Sequence, residues 1–310
     1  MLSLVTGGCG FIGSNLVKRL LRLGHKVIII DNLSTGKIQN IPIGCKNFVF
    51  YKEDITNYQR LRNILRDYAF DYIFHLAAIA SVQKSVEDPV FTHEVNVDAT
   101  LYLLEEARKQ EKLKRFVFSS SAAVYGDEPT LPKREDSLIK PLSPYGLDKY
   151  CAEQFVVQYH RLYGLPTVAL RYFNVYGPNQ DPSSPYSGVI SIFLKEFLEK
   201  DIPEIRIYGD GTQTRDFIYV EDVIEANLLV ASNEKAVGEV FNVGTGIETS
   251  ILDLVKIFEN LLNKKALIKY YPQREGDIKR SVASIEKICT IGFMAKHNVV
   301  SGLKNFLRSF

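Results

Sequence analysis

Short apolar runs alternate along this chain with longer stretches in which every third or fourth residue is apolar, the periods of a buried strand and an amphipathic helix. Leu2, Leu4 and Val5 predict a first short strand, and residues 14–23 follow with Leu16, Val17, Leu20 and Leu21 on one helical face. Residues 26–30 predict a second strand and residues 47–51 a third. A helix with Leu61, Ile64 and Leu65 on its apolar side leads to a fourth strand over residues 71–78. A long helix over about residues 89–110, a strand over 115–119 and a proline-rich polar loop over 127–141 come next. A helix over 145–163 and a strand over 166–171 close the regular part. Such alternation is the pattern of a parallel sheet covered on both faces. Beyond Asn174 the pattern loosens into a loop over 177–188, a helix over 189–199 and a strand over 205–208. Two more strands, over 217–220 and 240–243, are separated by a helix. The expected division is a main domain of residues 1–173, to which 214–243 return, and a smaller cap of 174–213 and 244–310.

The turn between the first strand and the first helix holds Gly7, Gly10 and Gly13 at spacing G-x-x-G-x-x-G. A glycine-rich turn there lets backbone N–H groups approach a pyrophosphate, and the helix N-terminus adds a favourable dipole. Gly13 lets the helix pack close to the sheet. The second strand ends in Asp31, 18 residues beyond Gly13, where an acid that binds a ribose belongs. A carboxylate accepts hydrogen bonds from the ribose hydroxyls and repels a 2′-phosphate, and Asn32 and Leu33 bring no arginine to bind one. The pattern therefore predicts NAD rather than NADP. Small residues at the end of the fourth strand, Ala77 and Ala78, leave room for a ligand in the crevice beyond the sheet.

Composition narrows the partners. With 310 residues and 46% hydrophobic content the chain is long enough for one large two-part domain or two domains. A net charge of +2 gives no reason to expect nucleic acid or an anionic membrane. Cys9, Cys45, Cys151 and Cys289 are scattered, without a C-x-x-C pair or a histidine cluster, which argues against zinc and disulfides and fits a reducing compartment. No stretch approaches the roughly 20 apolar residues of a membrane span, and no signal sequence precedes the first strand. The expected location is cytoplasmic, with no metal.

Further fragments then fall into a known order. They are Thr6-Gly-Gly-Cys-Gly-Phe-Ile-Gly13, Asp31-Asn-Leu-Ser-Thr-Gly36, Asp54-Ile55, His75-Leu-Ala-Ala78 and Asn96. Next come Ser119-Ser-Ser-Ala-Ala-Val-Tyr-Gly126, Ser143-Pro-Tyr-Gly-Leu-Asp-Lys149 and Arg171-Tyr-Phe-Asn-Val-Tyr-Gly-Pro178. Gly209-Asp-Gly-Thr-Gln-Thr-Arg-Asp216 and Arg274-Glu-Gly-Asp277 complete the series. Together they resemble the extended short-chain dehydrogenase/reductase family, and most closely its nucleotide-sugar 4-epimerase branch. The resemblance implies an α/β Rossmann fold, a doubly wound parallel sheet with a smaller C-terminal substrate-binding domain. For the cofactor it implies Gly7, Gly10, Phe11, Ile12, Gly13, Asp31, Asn32, Leu33, Ser34, Thr35, Gly36, Asp54 and Ile55. It adds Leu76, Ala77, Ala78, Asn96, Ser119, Tyr145, Lys149, Tyr172 and Phe173. For a UDP-sugar it implies Ser121, Tyr145, Asn174, Gly188, Val189, Ile207, Tyr208, Arg215, Arg274, Asp277 and Ser281. Arg215 and Arg274 would hold the diphosphate, for which a guanidinium fork suits well, Asn174 would donate an amide there, and Tyr208 would stack on uracil. Relatives pair through helices near residues 89–110 and 145–163, which implies a homodimer.

The chemistry centres on Tyr145 and Lys149, spaced i, i+4 and so on one helical face. A phenol with a pKa of about 10 is a poor base, and a neighbouring lysine cation and a positive nicotinamide lower it. The family's catalytic Ser/Thr falls on Ser121, which would bond the reacting hydroxyl beside Tyr145. The implied reaction is a transient oxidation at C4 of the sugar, rotation of the 4-keto intermediate and return of hydride to its other face. Such a site must hold the nucleotide diphosphate firmly and the hexose loosely. Related 4,6-dehydratases carry an Asp–Glu pair just after the catalytic Ser/Thr, and decarboxylases a Glu. Ala122 and Ala123 stand there in this chain and cannot move protons. Ser281 is small where a bulky residue screens out N-acetyl groups, so UDP-N-acetylhexosamines are expected to enter along with UDP-glucose and UDP-galactose. Two departures stand out: Ile291-Gly292-Phe293 replaces a Leu-Gly-Trp, and Ala80 stands where some galactose epimerases place a lysine. Another nucleotide-sugar epimerase, a 4-keto reductase and a non-catalytic NAD-sensing relative remain the alternatives.

Overall fold

The apolar runs assemble into one seven-stranded parallel sheet. The computed structural model describes residues 1–42, 44–181, 188–273 and 278–309. In chain order the elements begin with β1 (Leu2–Thr6), α1 (Phe11–Arg22), β2 (Lys26–Asp31), β3 (Phe48–Lys52), α2 (Tyr58–Asp67) and β4 (Tyr72–His75). Then come α3 (Val82–Glu87), α4 (Pro89–His93), a π-helical turn over Glu94–Asp98, α5 (Ala99–Ala107), β5 (Arg115–Ser121), α6 (Pro144–Tyr163) and β6 (Thr167–Tyr172). The C-terminal part adds β7 (Asn174–Tyr176), α7 (Val189–Glu199), β8 (Glu204–Tyr208), β9 (Thr214–Arg215), β10 (Phe217–Tyr219), α8 (Val220–Ser232) and β11 (Val240–Val243). It ends in β12 (Thr249–Ser250), α9 (Ile251–Leu262), β13 (Leu267–Tyr271), β14 (Arg280–Ser281), α10 (Glu286–Cys289) and α11 (Val299–Leu307).

The strand order is β11-β6-β5-β4-β1-β2-β3, so the chain reverses its direction of growth between β1 and β4. Ligands of such sheets bind at that reversal, beyond the carboxyl ends of the strands. Both faces are covered, as a parallel sheet requires. Val5, Val27, Ile29, Phe74, Val117 and Leu170 point to one core with α1 and α8, while Leu4, Ile28, Ile30, Ile73, Phe116 and Phe118 point to the other with α2, α5 and α6. β11 comes from beyond residue 174 and pairs with β6 from Val240↔Ala169 to Val243↔Tyr172.

The remaining strands form smaller ribbons near those carboxyl ends. β7 pairs with β10, β8 with β13, and β9 lies between β12 and β14. Helices α7 and α9 stack there through Phe197 and Phe258, whose rings are 5.3 Å apart. Among the described residues no helix is long and apolar enough to cross a membrane.

Two expected elements differ. The fourth strand ends at His75 rather than Ala78, because its neighbour β1 ends at Thr6: the Leu76 N–H makes the last ladder bond, to the Thr6 carbonyl at 3.2 Å, and the Ala77 N–H meets only Thr6 Oγ1 at 3.3 Å. The helix expected over 89–110 is broken by the π turn, which swings Asn96 towards Ile79; such turns recur at functional sites.

Candidate active site

The glycine turn is shaped by what a side chain would strike. Gly7 has φ +68° and its missing Cβ would lie 2.8 Å from the Ala77 nitrogen, so the turn rests on the strand end beside it. At Gly13 a Cβ would lie 2.1 Å from the Gly7 carbonyl, so helix α1 starts directly against the turn. Gly10 precedes the helix with no side-chain cap, and the first turn of α1 carries no acid. The N–H groups of Phe11, Ile12 and Gly13 have no intrahelical acceptor, a donor set that suits a pyrophosphate.

At the end of β2 the Asp31 carboxylate is 7% exposed and takes one backbone donor on each oxygen: Cys9 N–H at 2.8 Å and Leu33 N–H at 2.8 Å. Each oxygen retains room for a further donor, as a ribose diol needs. Gly36 packs against this carboxylate, and Ser34 and Thr35 are exposed beside it. The Asn32 amide donates to Asp54 at 2.7 Å. Burial pushes the Asp54 pKa up, but bonds from Thr56 and Asn32 outweigh it and hold the carboxyl below its usual range. Ile55 is buried next to it. This chain's glycine turn and Asp31 thus fit a dinucleotide.

Leu76, Ala77 and Ala78 are half-buried where the turn meets the end of β4. Asn96 is 1% exposed and gives both ends of its amide to Ile79, accepting at 2.8 Å and donating at 3.1 Å, so it shapes the loop after β4. Below it His75 bridges Thr6 at 2.7 Å and Thr100 at 2.9 Å. Burial, with the Lys149 cation nearby, lowers the His75 pKa to about 3, so the ring is neutral.

The fold brings Ser121, Tyr145 and Lys149 together. Ser121 ends β5 and pairs with Tyr172 of β6. Its hydroxyl hydrogen-bonds the Tyr145 phenol and accepts the Ala123 N–H at 3.2 Å. One turn along α6 the Lys149 ammonium, 3% exposed, donates to the Ser119 carbonyl at 2.7 Å and lies 5.0 Å from the Phe118 ring centre. Burial lowers the Lys149 pKa to about 7, with Asp148 opposing. Burial raises that of Tyr145, and the Ser121 hydrogen bond pulls it partly back. Exclusion of water dominates at Tyr145, and the lysine points its protons at the β5 backbone.

Several residues that hold this trio gave little sequence signal. The Tyr145 N–H, an orphan of the helix start, donates to the buried Ser85 hydroxyl at 3.1 Å. Glu153, one turn beyond Lys149, receives Ser120 Oγ at 2.7 Å and the Arg171 guanidinium at 2.9 and 2.7 Å. Arg171 reaches on to the Tyr125 hydroxyl at 2.7 Å, which donates to Asn242 Oδ1 at 2.7 Å. The i+4 spacing of Glu153 after Lys149 was the available clue; Ser85 had none.

The residues assigned to the sugar nucleotide lie around the ribbons. Asn174 is half-buried and donates its amide to the Asp216 carbonyl at 3.3 Å. Arg215 is half-buried in β9, with Thr249 opposite on one side and Ser281 on the other. Tyr208 ends β8 beside Tyr271, the rings 5.6 Å apart. Gly188 is exposed at the start of α7 and Val189 half-buried behind it. Strand alternation turns the Ile207 side chain into the core, 1% exposed. Tyr172 and Phe173 are likewise buried, the first bonding Asn227 at 2.9 Å. Arg274 and Asp277 lie outside the described residues. No group of three potential metal ligands occurs among the described residues.

A glycine turn and an acid at the sheet's reversal, with a Ser–Tyr–Lys trio beside them, define a dinucleotide-dependent enzyme of the short-chain dehydrogenase type. The chain belongs to the NAD dependent epimerase/dehydratase family, whose profile matches residues 3–244. It is 42% identical over 301 residues to a putative UDP-glucose 4-epimerase of Methanocaldococcus jannaschii, covering 97% of this chain and 95% of that protein. The structure of UDP-glucose 4-epimerase from Thermotoga maritima with UDP-glucose superposes with a TM-score of 0.93 at 38% identity, covering 99% of this chain and 98% of that one. A UDP-N-acetylglucosamine 4-epimerase from Methanobrevibacter ruminantium, in complex with UDP-N-acetylmuramic acid, gives 0.91 at 40% identity, with the same coverage.

Proposed function

We propose that this protein is an NAD-dependent 4-epimerase of UDP-hexoses. The observation that carries the proposal is the meeting of Ser121, at the end of β5, with Tyr145 and Lys149 on α6, followed by Ala122 and Ala123 rather than by acids. NAD, when bound, takes up the C4 hydride, returns it and brings a positive ring to the site. It would be held by the glycine turn, Asp31 and Lys149.

Tyr145 takes the proton of the C4 hydroxyl and later gives it back. Ser121, already bonded to the phenol, orients that hydroxyl. Burial disfavours the charged forms of both Tyr145 and Lys149. An ammonium beside a phenolate relieves both, so the proton passes to and fro with little change in local charge. Ala122 and Ala123 leave C5 and C6 untouched. Asn174 and Arg215, with Arg274, would hold the diphosphate while the neutral 4-keto ring turns.

The small Ser281 supports entry of UDP-N-acetylhexosamines. A homodimer is supported by exposed apolar side chains on and near α3, α4 and α6: Val86, Val90, Phe91, Leu142 and Leu147. Scattered free cysteines fit a cytoplasmic setting.

The test is a mass and absorbance measurement of NAD in the purified protein, followed by assays on UDP-galactose and UDP-N-acetylgalactosamine. Retained NAD and conversion without net cofactor use are expected. Net consumption of NADH identifies a reductase instead, and full activity in Tyr145→Phe defeats the mechanism.

A further inference from the structure

Asp216 is completely buried, and none of the described donors to its carboxylate is a cation. Its Oδ1 accepts the Thr245 N–H at 2.8 Å and the Thr245 hydroxyl at 2.6 Å. Its Oδ2 accepts the Gly246 N–H at 2.9 Å and the Ala283 N–H at 3.2 Å. Burial raises its pKa, and these same donors pull it back. A buried carboxylate is costly to a fold unless every lone pair is used. Here the bonds join three segments remote in sequence.

Those segments are the ones that carry the sugar-nucleotide residues. Asp216 directly follows Arg215 in the middle strand of the β12-β9-β14 ribbon. Thr245 and Gly246 lead into β12 on one side, and Ala283 follows β14, the strand of Ser281, on the other. The main chain of Asp216 ties in the fourth member, since its carbonyl accepts both the N–H of Asn174 at 3.0 Å and its side-chain amide at 3.3 Å. Gly244, just beyond sheet strand β11, packs so closely that a Cβ would lie 2.6 Å from Oδ2. One buried anion thus fastens the end of the parallel sheet to both edges of the ribbon.

We propose that Asp216 is a positioning residue for the nucleotide diphosphate, locking Asn174, Arg215 and the Ser281 strand into one rigid cradle. The proposal rests on the reading of Asn174 and Arg215 as diphosphate contacts. A reaction whose hexose must turn over draws its grip from the remote diphosphate, and grip is strongest when the holding groups are fixed beforehand. Asp216 touches no substrate itself; its four acceptor bonds are already filled.

The test is a double-mutant cycle read by calorimetric binding of UDP to NAD-loaded protein, with kcat and KM for UDP-galactose measured alongside. Asp216→Asn presents an amide N–H₂ to backbone donors and releases one edge of the ribbon. It is expected to weaken UDP about tenfold, or about 1.4 kcal/mol. KM should rise in step, while kcat stays within about threefold and bound NAD is unchanged. In an Arg215→Met background the same change should cost less than about threefold, because the residue it positions is gone. Thr245→Val, which removes the hydroxyl donor to Asp216 and frees the exposed Ile247 N–H that it accepts, should shift UDP binding in the same direction by about threefold. It carries the test should Asp216→Asn not fold. UDP affinity equal to the wild type in the foldable variant, or full additivity with Arg215→Met, overturns the proposal. An Arg215→Met protein with undiminished affinity overturns the diphosphate reading and the proposal with it. Weakened Arg215→Met beside undisturbed Asp216→Asn sinks the positioning role alone.

Discussion

Lys149 should cost the fold stability, and replacing it by Met tests that directly. The side chain is 3% exposed and donates to the Ser119 carbonyl at 2.7 Å, and burial moves its pKa from 10.5 to about 7. The unfolded chain therefore binds the proton more tightly than the folded one. The penalty is absent above pH 10.5 and complete below about pH 7. At about 1.36 kcal/mol per unit, it amounts to about 4 kcal/mol at pH 7 and about 2 kcal/mol at pH 9. Met keeps the length and apolar contact, but forfeits the bond to the Ser119 carbonyl, worth about 1.5 kcal/mol. The expected outcome in urea unfolding of nucleotide-stripped protein is a Lys149→Met chain more stable by about 2 kcal/mol at pH 7. That advantage should shrink to near zero by pH 9, because the wild type gains stability over this window and the variant lacks that gain. Epimerase turnover should fall by about 10²-fold or more, since the phenolate loses its counter-charge. A variant less stable than the wild type at pH 7, with parallel curves from pH 7 to 9, would refute the assignment of Lys149 as a buried cation held for chemistry.

Ser121→Ala should lower turnover by about 10- to 100-fold and move the alkaline-going limb of the pH–rate profile upward, because it deletes the bond that pulls the Tyr145 pKa down while burial still raises it; an unshifted limb counts against a catalytic Ser121–Tyr145 pair. Glu153→Gln should cost about 3–5 kcal/mol in denaturant unfolding, since it strands the Arg171 guanidinium in a site 3% exposed. The loss should show in kcat more than in KM for UDP-galactose, and a change confined to KM would contradict its place behind the chemistry.

Much of the site was legible because its signals are local. Gly7, Gly10 and Gly13 are read from backbone needs within one turn, Asp31 from the end of the next strand, and Tyr145 with Lys149 from helical spacing. The parallel sheet follows from alternating periods that each segment carries on its own. What the chain hid depends on contacts between distant segments. Leu76 and Ala77 look like strand, yet the pairing stops there because the neighbouring β1 ends at Thr6 and turns away through Gly7. Ile207 sits in a family position, but strand alternation alone decides that it faces inward. The burial that raises the Tyr145 pKa was hidden for a related reason: spacing shows that Lys149 is near, not how the surrounding segments cover the phenol.

The helix that carries the base is held in an unusual manner. Ordinary surface helices dock by an apolar stripe. On α6 the first turns dock by polar bonds, and the apolar stripe of Ala152, Val156 and Tyr159 follows only beyond them. Ser143 accepts the Gly146 N–H at 3.2 Å, Ser85 accepts that of Tyr145, Lys149 reaches Ser119, and Glu153 takes Ser120 and Arg171. Tyr145, Lys149 and Glu153 follow at successive turns, so the first turns of this face are fixed by directional bonds as well as by contact. Directional bonds define a position more narrowly than apolar packing, which tolerates sliding and repacking. That suits a reaction in which the sugar ring must turn between two presentations of C4. The ring can be loose only if the phenol that meets it is not. Four polar anchors behind α6 keep the base still, and the Asp216 cradle keeps the diphosphate still. The hexose between them is then the one part of the assembly left to rotate.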